Sequence, residues 1–178
     1  VAAGMCAGAL GSDTGGSVRL PASINGISGL RPTHGRVPNH ESTPVSASFD
    51  TIGPMARSVA DVARIFAVIA GYDNRDPWSI DKPLLNFLPS LNDGIEGTKI
   101  GLPRSFYLEK LNPDIEKLFH DASKVLEGLG AKLVEIDVPG ASEMQAWATV
   151  LIYSDACAFH HDRLKNHKEK FSEQVYER

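Results

Sequence analysis

Apolar residues recur at helical spacing in the stretch that begins at Val59. Ser58 and Asp61 form a capping pair at its start, and Gly71 stands where such a helix would end. These signals predict a helix over residues 59–70. Its apolar positions are Val62, Ala63, Phe66, Ile69 and Ala70.

Two further stretches show the same periodicity. Asn112 as N-cap and Pro113 at the first helical position predict a second helix, which ends near Gly130. Its apolar residues form one stripe, which we expect to pack on a sheet: Ile115, Leu118, Phe119, Ala122, Val125, Leu126 and Leu129. A third helix is predicted from Ser142 to about Lys165, from the spacing of Met144, Trp147, Ala148 and Leu151.

Short β-rich runs alternate with these helices. Thr98 to Leu102 and Lys132 to Val138 are both predicted to be strands, which gives the order strand, helix, strand, helix. That order predicts an α/β layer architecture. Residues 72–97 contain Pro77, Pro83 and Pro89 and are predicted to run over the surface. We therefore divide the chain into a core at 1–71, a surface excursion at 72–97 and a variable region at 98–178 of the same domain.

Composition and charge exclude several classes of protein. The chain has 178 residues, 42% of them hydrophobic, which excludes a disordered protein. The net charge of -4, without a basic run, argues against direct nucleic-acid binding. Cys6 and Cys157 lie far apart and lack metal-ligand spacing, so we expect neither a disulfide framework nor a zinc site. Both are interpreted as small buried hydrophobes. We expect a cytoplasmic protein without a membrane segment.

Neither end of the sequence carries the capping residues that usually begin or end a helix. The opening VAAGMCAGAL starts at Val1 in the middle of a pattern, and the tail from Asn166 to Arg178 is polar. We therefore expect the chain to be a fragment, truncated at both ends.

The stretch GSDTGGSVRLPA, from Gly11 to Ala22, carries the clearest chemistry. Adjacent Gly15 and Gly16 permit a positive-φ turn that leaves successive N–H groups free to bind an anion. If Ser17 attacks a carbonyl carbon, the N–H groups of residues 14–17 can stabilise the resulting oxyanion. Asp13 and Arg19 flank this loop, and a pair between them is expected to brace it.

This stretch resembles the DTGGS-[IV]-R-x-P core of the amidase signature family of serine hydrolases. The resemblance continues through GISGLRPTHGRV, from Gly26 to Val37, and through FDTIGPMARSVAD, from Phe49 to Asp61. It implies the amidase signature fold, a mixed twisted sheet covered by helices on both faces. It also implies that Ser17 is the acylated nucleophile and that the backbone of Thr14, Gly15, Gly16 and Ser17 forms the oxyanion hole.

The resemblance also implies a catalytic base outside the sequence. In the family, a lysine acts through a second serine to complete a Ser-Ser-Lys triad, and both align upstream of Val1. Because a serine hydroxyl is a weak nucleophile without a base, we expect these 178 residues alone to be inactive. The implied reaction is hydrolysis of a small carboxamide substrate, without cofactor or metal.

Several alternatives stay open. The chain could belong to the glutaminase A subunit of a tRNA-dependent amidotransferase, with partner subunits, or form a homodimer. It could also be a catalytically silent amidase-like receptor or scaffold. A Ser-His-Asp triad that uses His34 is less favoured, because no spacing identifies it. The S-x-x-K spelling at Ser79 to Lys82 is interpreted as coincidence, since Pro83 disfavours a helix there.

Overall fold

A computed structural model describes residues 1–177. The polypeptide forms two compact units. One consists of Val1–Leu88 together with the stretch from Ala148 onward, and the other is Pro89–Trp147. The boundaries between the two units follow residues 88 and 147, whereas the divisions predicted from the sequence follow residues 71 and 97.

The first unit is built on a three-stranded antiparallel sheet. Its strands are β1 (Gly8–Asp13), β2 (Ser28–Gly29) and β3 (Thr51–Ala56), in the order β1-β3-β2. In the ladder, Asp13 lies opposite Thr51 and Gly11 lies opposite Gly53. Because β1 ends at Asp13, the following residues leave the sheet at its edge. The register therefore places residues 14–17 beside the start of β3.

Close backbone contact explains one glycine in this sheet. A Cβ on Gly53 would lie 2.0 Å from the carbonyl oxygen of Leu30, so no side chain fits there. Pro54 follows it in a fully buried position of β3. Glycine and proline are both depleted in strands, and none of the three strands of this sheet was predicted from the sequence.

Helices of the first unit follow their local signals. A short helix, α1 (Arg19–Ile24), follows the glycine loop. The predicted helix after Ser58 is confirmed as α2 (Val59–Ile69), and the Ser58 side chain accepts a hydrogen bond from the Asp61 amide at 3.1 Å. The N-cap pair thus sets the start of α2, as in other capped helices.

The second unit confirms the predicted β-α-β order. Strands β4 (Lys99–Pro103) and β5 (Lys132–Ile136) are parallel, and α3 (Pro113–Gly128) connects them. Asn112 caps α3 by accepting from the Asp114 amide at 2.9 Å. This arrangement is the α/β layer that the sequence predicted.

The expected packing of the α3 stripe is wrong for most of its length. Ile115, Leu118, Val125 and Leu129 are 53%, 61%, 62% and 59% exposed. The buried residue of α3 is Ser123, whose hydroxyl donates to the Phe119 carbonyl oxygen at 2.9 Å. Ala122 is exposed as well, so five of the seven residues of the stripe remain open to solvent.

The last long helix, α4 (Ala141–Asn166), agrees with the predicted limits to within one residue. A four-residue helix, α5 (Glu173–Tyr176), follows it, and 3-10 turns occupy Leu88–Asn92 and Lys168–Lys170. None of the helices within residues 1–177 combines the length and apolarity that crossing a membrane requires.

Candidate active site

The loop of residues 14–17 joins β1 to α1 and carries Ser17. Gly16 has a φ of 137°, a backbone conformation that side chains disfavour. The Leu20 amide donates to the Gly16 carbonyl oxygen at 2.7 Å, which closes the turn into α1. Within residues 1–177, the N–H groups of residues 14–17 donate to no protein acceptor. The loop therefore presents free donors beside the exposed Ser17 side chain.

Asp13 holds the C-terminal end of this loop. Its side chain is fully buried, and the Arg19 Nε and Nη2 atoms donate to its two oxygens at 3.0 Å each. The amides of Val18 and Arg19 donate to Oδ2 at 3.2 and 3.3 Å. Arg31 Nε lies 3.4 Å from Oδ1. One carboxylate thus accepts hydrogen bonds from two backbone amides and the Arg19 guanidinium, and it also forms an ion pair with Arg31.

These contacts decide the ionisation of Asp13. Burial by itself raises the pKa of the carboxyl, but the Arg19 side chain and the amides of Val18 and Arg19 together lower the pKa below its ordinary value. Asp13 is therefore a carboxylate at neutral pH. With its oxygens occupied by donors, it is not available as a general base.

A second buried carboxylate, Asp50, holds the N-terminal end of the loop. The Thr14 hydroxyl donates to Asp50 Oδ1. The amides of Val45 and Ser46 donate to Oδ2 at 2.8 and 3.1 Å. Asp50 is 5% exposed and directly precedes β3. Sequence reasoning gave it no role, although it lies in the third resembling block.

The helix α4 also reaches this region. A Cβ on Gly15 would lie 3.7 Å from Ile152 Cδ1, so Ile152 lies beside Gly15, which is itself exposed. Ser46 donates its hydroxyl proton to Asp155 Oδ2 at 2.5 Å. Hydrogen bonds from Ser46 and Ser48 lower the pKa of Asp155. Neither Ile152 nor Asp155 was identified from the sequence.

Among residues 1–177, Ser17 has no partner for proton transfer. No side chain within residues 1–177 forms a hydrogen bond with its hydroxyl group. His34 Nε2 lies 3.0 Å from the Ala47 carbonyl oxygen, and its ring packs edge-on against Trp78 at 5.5 Å. His34 is therefore engaged elsewhere, which counts against a Ser-His-Asp triad.

Other sequence alternatives also lack geometry. Residues 79–82 are not helical, so the lysine of the S-x-x-K spelling is not placed one helical turn from its serine. The interpretation of Cys6 and Cys157 as buried is wrong, because both thiols are exposed. The described part of the chain contains no group of three or more His, Cys, Asp or Glu side chains suited to a metal ion.

Comparisons with known proteins show which proteins this chain is similar to. The protein-family model described as Amidase matches residues 1–177. A relative from a Sulfurihydrogenibium species, the A subunit of glutamyl-tRNA(Gln) amidotransferase, is 48% identical over 78% of this chain and 29% of its own length. The chain spans 29% to 33% of the length of the first two curated relatives.

Solved structures extend the likeness to the backbone. A structure described as a vestigial complex that reveals the origins of an s-triazine catabolic enzyme has a TM-score of 0.92 and 31% identity. It covers 99% of this chain, which spans 38% of that one. The A subunit of glutamyl-tRNA(Gln) amidotransferase from Thermotoga maritima has a TM-score of 0.84 and 31% identity, and it covers 99% of this chain and 41% of its own.

Proposed function

The chain belongs to the amidase signature family, and on that basis we propose that Ser17 is the nucleophile of an amide-hydrolysing enzyme. One observation carries the proposal. The N–H groups of residues 14–17 donate to no acceptor in the described part of the chain, and the loop is held at its two ends by Asp50 and Asp13. Donors fixed in advance around a developing charge are the main catalytic device of acyl-transfer sites.

The proposed reaction proceeds in two steps. Ser17 Oγ forms a bond to the amide carbon, and the carbonyl oxygen becomes an oxyanion that accepts hydrogen bonds from the loop N–H groups. The C–N bond then breaks, and the nitrogen leaves as ammonia or an amine with the proton it receives. Water attacks the acyl-serine, releases a carboxylic acid and restores the hydroxyl. In other enzymes, loss of one oxyanion donor lowers kcat by about 100 to 1000-fold.

Proton transfer from Ser17 requires a base. Because Ser17 has no hydrogen-bonding side chain within residues 1–177, we propose that the base lies outside them. A lysine that acts through a second serine, as the resemblance implies, would complete the site. On this proposal, residues 1–178 alone do not turn over substrate.

A second candidate is the glutaminase component of a tRNA-dependent amidotransferase. Its support is the name of the curated relatives, which are 48% and 44% identical to this chain. In that case the amide is that of glutamine, and the ammonia passes to partner subunits. A silent scaffold is less favoured, because the chain retains both Ser17 and the free donors beside it.

Covalent labelling tests the nucleophile. A fluorophosphonate would be incubated with the 178-residue chain and with a polypeptide extended by the upstream family segment, and labelling would be located by mass spectrometry. Ser17 Oγ displaces fluoride from phosphorus, so we expect one adduct, on Ser17, in the extended polypeptide only. Ser17→Ala should abolish it, and Ser12→Ala, at an exposed serine of β1, should not.

Each other outcome is informative. An adduct that persists in Ser17→Ala refutes Ser17 as the nucleophile, and labelling of the 178-residue chain refutes the external base. Ammonia release from glutamine, compared with release from benzamide, separates the glutaminase from a general amidase.

A further inference from the structure

At least three hydrogen bonds attach α4 to residues 44–48, because Ser48 as well as Ser46 forms a hydrogen bond with Asp155. Ser46, which is 1% exposed, donates its hydroxyl proton to Asp155 Oδ2 at 2.5 Å. Further along α4, His160 Nε2 donates to the Pro44 carbonyl oxygen at 2.9 Å. The position of α4 is therefore determined by this segment rather than by apolar packing alone.

The same segment holds the nucleophile loop. The amide of Ser46 donates to Asp50, and Asp50 accepts from the Thr14 hydroxyl. Asp155, Ser46, Asp50 and Thr14 thus form one continuous series of hydrogen bonds. The series connects α4 to the first residue of the loop.

A second contact closes this series into a ring. Ile152 Cδ1 lies 3.7 Å from where a Cβ on Gly15 would stand. Asp155 follows Ile152 by three residues, less than the 3.6 residues of one helical turn, so the two side chains project from neighbouring positions on α4. The Asp155 hydrogen bond consequently fixes both the rotation of α4 and the height of Ile152 above Gly15.

We propose that Asp155 is a positioning residue that places Ile152 beside Gly15, where Ile152 limits the size of the substrate group next to the reacting carbonyl. This inference rests on the proposed function of Ser17. The free N–H groups fix where the carbonyl oxygen binds, so a substituent on the same carbon must pass beside Gly15. An isoleucine side chain there leaves room for a small group and excludes a bulky one.

Nuclear magnetic resonance tests the positioning step without any reaction. In the complete protein, we expect a nuclear Overhauser effect between the Ile152 δ1 methyl and the Gly15 α protons. Asp155→Ala should abolish it, and Asp155→Asn should retain it, because the amide oxygen still accepts from Ser46. Asp162→Ala, at an exposed position of the same helix, is the matched control and should retain it. A signal that persists in Asp155→Ala overturns the positioning role.

Selectivity tests the effect on reactivity. Labelling rates would be measured with two fluorophosphonates that differ only in the group on phosphorus, methyl or isobutyl. Ile152→Ala should raise the isobutyl-to-methyl rate ratio by at least about tenfold, since one methylene group in an apolar pocket is worth about 10 to 200-fold. Asp155→Ala should change the ratio in the same direction, and the double variant should add little. A general loss of folded protein would slow both probes equally and leave the ratio unchanged.

The Overhauser effect tests whether Asp155 positions Ile152, and the labelling-rate ratio tests whether Ile152 limits substrate size, so the two hypotheses can fail separately. An unchanged ratio in Ile152→Ala overturns the size limit, whatever the resonance data show. If neither probe labels the unsubstituted protein, the proposed function fails, and the size limit fails with it. The Overhauser effect still decides in that case whether Asp155 positions Ile152.

Discussion

Replacement of Asp13 by alanine should destabilise the protein much more than replacement of its partner Arg19. The Asp13 side chain is fully buried, whereas the Arg19 side chain is 54% exposed. Without the carboxylate, the amide of the fully buried Val18 has no acceptor. Without the Arg19 guanidinium, the carboxylate still accepts from the amides of Val18 and Arg19 and remains near Arg31.

The contacts set the size of the difference. A buried donor left without an acceptor costs about 1–3 kcal/mol, and Arg31 also loses its neighbouring charge, so we expect Asp13→Ala to cost about 3 kcal/mol. Loss of a half-exposed ion pair costs about 1 kcal/mol or less, which is our expectation for Arg19→Ala. The difference of about 2 kcal/mol corresponds to roughly a 30-fold change in the folding equilibrium.

Urea unfolding monitored by tryptophan fluorescence measures both free energies. Asp13→Asn is the isosteric control, and it should fall between the two because one acceptor oxygen remains. The double variant should lose little more than Asp13→Ala, because the two residues share one interaction. Free energies for Asp13→Ala and Arg19→Ala that agree within about 0.5 kcal/mol would refute the role of the carboxylate as the anchor of the loop.

Two further predictions concern the sheet and the pH dependence of stability. Gly53→Ala should lower the free energy of unfolding in urea by about 3 kcal/mol, because the new Cβ would lie 2.0 Å from the Leu30 carbonyl oxygen. Gly71→Ala, with open space around it, is the control and should change the free energy of unfolding by less than about 1 kcal/mol. Equal effects of the two substitutions would contradict the close contact at Gly53. The pKa of Asp13 is lowered in the folded state, so its contribution is complete above its ordinary value of 3.8 and is lost as the pH falls through the lower folded value. The difference in free energy of unfolding between the unsubstituted protein and Asp13→Asn should therefore be constant between about pH 5 and 8 and shrink below about pH 4. A difference that stays constant down to pH 2 would contradict the lowered pKa of Asp13.

The helices could be predicted because their signals are local. Ser58 with Asp61 and Asn112 with Pro113 lie within one turn of the helix ends that they define. The three-stranded sheet was missed because its strands carry glycine and proline, and because β1 pairs with a strand about 40 residues further along the chain. The exposed stripe of α3 shows that periodicity identifies an apolar face without identifying what covers it.

The candidate site was only partly accessible from the sequence. The glycine pair and Ser17 form one continuous motif, so their chemistry could be interpreted directly. The partners of the loop lie far away in sequence: Thr14 and Asp50 are 36 residues apart, and Ser46 and Asp155 are 109 residues apart. A single sequence gives no signal for pairs at such separations, so the roles of Asp50 and Asp155 emerged only from the structure.

The register of β1 on β3 has a consequence for how sequence length can vary. Asp13 is the last residue of β1 and pairs with Thr51 of β3. Asp50 directly precedes Thr51 in the sequence. The spacing of the two carboxylates is therefore a property of the strand pair, independent of the length of chain between them. Insertions at the exposed turn of residues 41–43 should be tolerated without disturbing Ser17, whereas a single-residue deletion inside β1 should separate the two anchors.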